Sequence, residues 1–139
     1  MFSCFFRPPH LLWPPREVFS YLKARGYTFE GEFLLIEGVP VQFLPADDPK
    51  GLTRTALEAA AAVPYQGASS IVPTWVLTPE YLAAIALDVH RSKDYDRVSR
   101  FLTEAPVNRA ALNQLIEQFG LMEYWATFLL RYPEFGNHP

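Results

Sequence analysis

The stretch that most constrains this chain is Glu32 to Pro45, EFLLIEGVPVQFLP. It reads as two short strands, Phe33–Glu37 and Val39–Leu44, joined by a tight turn at Gly38. In the second run Val41 and Phe43 alternate with Pro40, Gln42 and Leu44, the period of two expected of a pleated strand. Gln42 is the polar position on an otherwise apolar strand. An amide there is either half-buried and satisfied, or it points into a site.

Around this hairpin the chain punctuates itself clearly. Residues 2–6, FSCFF, form a strand that stops at Pro8-Pro9, so the chain reads as beginning in mid-strand. Pro14-Pro15 sets up a helix carrying Val18, Phe19, Leu22 and Arg25, which Gly26 ends. Asp47-Asp48-Pro49-Lys50-Gly51 is turn chemistry, and the alanine-rich run Leu52–Val63 predicts a helix. A polar loop over Gln66–Ser70 leads to a strand at Val72–Leu77.

The remainder is helical. Thr78, Pro79 and Glu80 are a strong start, with Leu82, Ile85 and Val89 as the buried stripe. Ser92 caps Lys93–Glu104, whose Val98, Phe101 and Leu102 point inward. Asn108 caps the next helix, with Val107 and Leu112 placed as a hydrophobic staple and Leu112, Leu115, Ile116 and Phe119 on the core face. Gly120 stops it. The last helix, Leu121–Tyr132, carries Trp125, Phe128 and Leu129. The expected architecture is α+β: a small mixed sheet with a central hairpin, then a C-terminal helical bundle. At 139 residues this predicts a single domain, with the sheet in 1–77, helices in 78–132 and a frayed tail at 133–139.

Composition narrows the function classes. Half of the residues are hydrophobic, which excludes global disorder. Charged residues are scarce and the net charge is −3, which argues against a dedicated nucleic-acid surface. Cys4 is the only cysteine, so no internal disulfide forms and a cytoplasmic setting is favoured. No apolar run reaches the ~20 residues of a membrane span, and Arg7, Pro8 and Pro9 interrupt what would be a leader.

Motif chemistry is sparse. There is no glycine-rich phosphate loop and no paired-cysteine motif, and His10, His90 and His138 are far apart, so no metal site is expected. Asp47 and Asp48 read as an ordinary turn, and Cys4 as inert. The best cluster is His90-Arg91-Ser92-Lys93-Asp94 with Arg97 and Arg100. Lys93, Arg97 and Arg100 share one helix face beside the free amides of a helix start, a seat for phosphate. The alternative is a solvated face with local Lys/Arg–Asp pairing. Gln42, Arg91, Lys93, Asp94 and Arg97 are therefore the candidate ligand residues.

The order YLKARGY, GEFLLIEGVPVQFLPA, EAAAAVPYQG, VPTWVLTPEYLAAIAL and RSKDYDRV, over roughly residues 16–119, resembles the later part of the nucleotidyltransferase-like proteins related to the AbiEii toxin group. The resemblance implies a mixed sheet flanked by helices, a helical C-terminal part, and nucleotidyl transfer from a nucleoside triphosphate under divalent-metal control. It also exposes departures. The family's Gly-Ser helix start and Asp-x-Asp strand have no counterpart here, since FSCFF contains no carboxylate. The third acidic position corresponds to Gln42, a poor metal ligand. Asp88 stands where relatives often carry lysine, and Arg97 where they often carry an acid. Lys93 and Asp94 carry over.

The expected function is thus a degenerate or truncated nucleotidyltransferase-like protein, non-catalytic alone, acting as a binding or interaction module. The alternatives are a nucleotidyltransferase of toxin–antitoxin type whose site another chain completes, or one whose site is rearranged. No cofactor is expected, with magnesium needed only if activity survives. The expected partners are a nucleotide or second protein chain and a second copy in a twofold dimer. That dimer would cover Phe2, Phe5, Phe6, Leu11, Leu12 and Trp13, unless residues 1–13 fold back on their own sheet.

Overall fold

A two-residue turn sets the geometry of the first part of the chain. In the computed structural model, which describes residues 2–6, 16–31, 33–66 and 70–136, Glu37 and Gly38 both have positive φ, 50° and 78°. Two left-handed residues between two strands make a type I′ turn, whose twist matches that of a strand pair. It joins β3 (Phe33–Ile36) to β4 (Val39–Pro45) with Leu34 opposite Val41 and Ile36 opposite Val39. β1 (Phe2–Phe6) runs parallel to β4, pairing Phe2 with Val41 and Phe6 with Pro45. β2 (Thr28–Glu30) adds antiparallel to β3, so the sheet order is β1-β4-β3-β2. The fold class is α+β, a small mixed sheet and then helices, as the sequence predicts.

Alternation decides which residues of this sheet are covered. Phe29, Leu34, Val41 and Phe43 fall on one face through the registers of β2, β3 and β4. The helix α1 (Arg16–Ala24) presents Phe19 to that face, with edge-to-face ring contacts of 5.4 Å to Phe29 and 5.3 Å to Phe43. Leu34 beneath them is 1% exposed. Gln42 is on the other face.

The chain divides into two compact units, Met1–Pro49 and Lys50–Pro139. The second opens with α2 (Leu52–Glu58), which ends sooner than its alanine content suggests. Residues expected to extend the helix to Val63 instead enter β5 (Ala61–Gln66), paired antiparallel with β6 (Ile71–Val76). The reason is local: Pro64 has no N–H for a helix and forces the residue before it into extended backbone. Alanine's helical advantage of a few tenths of a kcal/mol per residue does not outweigh the strand ladder. Gln66, expected in a loop, closes β5, and residues 67–69, expected in the same loop, lie outside the described residues.

Four helices follow: α3 (Pro79–Val89), α4 (Ser92–Glu104), α5 (Arg109–Gln118) and α6 (Met122–Arg131). α3 is the centre, touched by α2, α4, α5 and α6. That position corrects the predicted stripe. Ala83, Ala84, Ala86 and Leu87 are buried, Leu82 and Ile85 are half-buried, and Val89 is 40% exposed. Helices closing in from several sides leave room for methyl groups where a single packed face would take leucines.

Leu112, Ile116, Leu121 and Phe128 complete the core, each at most 1% exposed. Burying each such side chain stabilises by about 1.5–3 kcal/mol. Asn108 caps α5 as predicted, its side chain accepting from the Ala111 N–H at 3.1 Å. The tail is more ordered than expected at its start: Pro133–Phe135 forms a 3₁₀ turn that packs Phe135 on Phe128 at 5.6 Å. Among the described residues no helix is long and apolar enough to cross a membrane.

Candidate functional site

The charged cluster sits at the start of α4. Arg91 is the N-cap residue and Ser92 the first helical residue, one position earlier than the predicted serine cap. The next residues follow helical geometry, so Asp94 turns inward and is 1% exposed while Lys93 and Arg97 stay outside. A carboxylate cannot be buried alone. Arg91 approaches from the cap, Nε donating to Oδ2 at 2.6 Å, and Arg97 from one turn on, Nη1 donating to Oδ1 at 2.9 Å. The Asp94 N–H also donates to the Arg91 carbonyl at 2.8 Å, closing the first turn. Burial pushes the Asp94 carboxyl up, but the Arg91 hydrogen bond and the charges of Arg91 and Arg97 hold it below the usual carboxylate range.

A second brace comes from the far end of the unit. Arg131, in the last turn of α6, donates to Ser92 Oγ at 2.7 Å and to Asp96 Oδ1 at 2.9 Å, and the Tyr132 hydroxyl donates to the same carboxylate. The start of α4 is therefore held from both sides. Lys93 stands between these braces, exposed and in no ion pair among the described residues.

Further along the same helix, Arg97, Arg100, Phe101, Glu104 and Ala105 line an open cleft of about 390 Å³. Arg97 and Arg100 thus share a face as the spacing predicts, while Lys93 does not line the cleft. Each of the two guanidiniums is also paired within its own helix, Arg97 with Asp94 and Arg100 with Glu104 at 3.4 Å. The basic face that the spacing predicts and its local pairing thus fall on the same residues.

Gln42 lies elsewhere. It is on β4 in the first unit and half-buried. Arg91, Lys93, Asp94 and Arg97 are in the second unit. Asp88 accepts from Lys50 Nζ at 2.6 Å. His90 ends α3 in left-handed backbone and stacks on Tyr124 at 4.3 Å, while His10 and His138 lie outside the described residues. Among the described residues no three His, Cys, Asp or Glu side chains gather as ligands.

Asp96, Arg131 and Tyr132 are the site residues that sequence reasoning misses. Their separations of 35 to 39 residues leave no local signal. The Arg91–Asp94–Arg97 brace was legible in principle, since all three stand at helical i, i+3 spacing. Compared with known protein families, curated proteins and solved structures, the chain finds a match in none of the three.

Proposed function

We propose that this chain by itself is a non-catalytic, nucleotidyltransferase-like binding or interaction module of the cytoplasm. The observation that carries this reading is Asp94. Its two carboxylate oxygens are buried and engaged by Arg91 and Arg97. An acid held this way is neither an open metal ligand nor a base that can take a proton from an acceptor. The donors present at the start of α4 do not fit a divalent ion, because guanidiniums occupy the carboxylate edge where it would bind.

What the Arg-x-Lys-Asp sequence retains is the presentation of Lys93. A phosphate-bearing ligand fits that surface, with Arg97 and Arg100 beside it, and its binding is weak and salt-sensitive because exposed charges are screened over about 10 Å at 0.1 M salt.

Incubation with each labelled nucleoside triphosphate, magnesium or manganese, and protein or RNA acceptors should transfer no label. Metal-dependent transfer that disappears in Asp94→Asn would overturn the reading. Transfer that needs a second, different chain would replace it with a site completed in a complex.

A further inference from the structure

The β5–β6 hairpin carries a second, independent observation. Between Glu58 and Glu80 the chain has no charged residue, and among the described residues none of 59–78 belongs to the core of its unit. Yet the hairpin presents exposed apolar side chains on both faces. Its register places Ala62, Pro64 and Gln66 opposite Trp75, Pro73 and Ile71 on one face, and all six are exposed. Trp75 is 66% and Ile71 65% exposed. On the other face Val63, Tyr65 and Val76 are 44%, 60% and 46% exposed. A two-stranded hairpin left bare in water is marginal, and an apolar patch of this kind marks a contact surface.

Pro64 and Pro73 decide the mode of contact. They stand directly opposite one another. Two prolines cannot exchange the N–H···O bonds of a hydrogen-bonded pair, so theirs is the non-hydrogen-bonded kind, and their missing donors face outward. Both edges of the hairpin are therefore interrupted at mid-strand, which blocks addition of a further strand. Contact goes through a face.

We propose that the Trp75 face packs against the same face of a second copy of this chain across a twofold axis. Charge selects this occupant. A twofold contact sets a surface against itself, and on a chain of net charge −3 most surfaces would then oppose like charges. This stretch has none to oppose, and offers a foreign partner no charge to recognise. Area sets the strength. With an aromatic side chain presenting about 150–250 Å², the face amounts to roughly 400 Å², half of the ~800 Å² per partner of a standard interface. The dimer is weak and concentration-dependent. It stands apart from the function proposed above and from the N-terminal dimer the sequence suggests. The side chains of Phe2, Phe5 and Phe6 and the whole of residues 7–15 lie outside those described.

Sedimentation velocity across a hundredfold dilution tests it. The wild type should pass from monomer to dimer. Trp75→Glu and Trp75→Lys should each weaken association at least tenfold with unchanged helical circular dichroism. An equimolar mixture of the two should restore it, because opposite charges then meet across the axis. A monomer at every concentration overturns the proposal, as does unchanged dimerisation of Trp75→Glu. So does a dimer that Leu130→Glu disrupts and Trp75→Glu leaves intact, which would move the contact to the exposed side of α6.

Discussion

Asp94 shows how one carboxylate changes meaning with its neighbours. Beside a lysine in an Arg-x-Lys-Asp sequence it invites a catalytic reading, and the backbone turns it away from solvent onto two guanidiniums. Asp94→Asn keeps the shape and removes the charge, and should lower stability at neutral pH by about 1–3 kcal/mol. The pH dependence has a definite sign. A carboxyl whose folded pKa lies below its unfolded value of about 3.9 contributes fully above that value and loses its contribution as pH falls through the folded one. Urea unfolding of wild type and Asp94→Asn should therefore differ near pH 7 and converge toward pH 3. A gap that stays constant with pH would show that the two arginines do not hold the charge. The arginines themselves are half exposed, so most of the effect belongs to the buried partner.

At the scale of elements, local chemistry was readable and pairing was not. The turn before β4 and the cap of α5 are each set by residues within a few positions: Asn108 caps where the sequence puts it, and the turn stands at Gly38 but also takes in Glu37, which the sequence assigns to the strand. Leu52–Val63 misleads because its alanines favour a helix only weakly, while Pro64 just beyond it and the pairing with Ile71–Val76 decide the outcome. The stripe of α3 misleads for a related reason: periodicity tells which residues share a face, not how many neighbours press on it. A direct check of the local part is Gly38→Ala. Nothing lies within 4 Å of an added Cβ, so no packing is disturbed and the backbone alone bears the change. With φ at 78° the substitution should cost about 1–2 kcal/mol, and Gly38→Asn less, both read from chemical denaturation. Equal stability of Gly38→Ala and wild type would mean that the turn relaxes to another type.

Among the described residues, the fully buried large apolar side chains are Leu34 in the first unit and Leu52, Leu87, Val98, Leu112, Ile116, Leu121 and Phe128 in the second. A segment with that much core folds by itself. Residues 50–139 expressed alone should keep the helical circular dichroism of α3 to α6 and melt cooperatively, and in the full chain amide exchange should be slowest in α3 and α5. A fragment that is unfolded in isolation would show that the second unit depends on the first.

The clasp of Arg131 on Ser92 and Asp96 sets a time as well as a geometry. Those partners are separated by 39 and 35 residues, with the arginine emerging last. At a synthesis rate of about 5–20 residues per second, the ribosome makes the start of α4 roughly 2–8 s before it makes the side chain that fastens it. The Arg91–Asp94–Arg97 brace lies within one helix and can close once that helix forms, whereas the second brace cannot close in that interval. Lys93 thus reaches its final setting only as the end of α6 is translated, and a ribosome stalled between residues 97 and 130 would carry a chain in which this surface is half built.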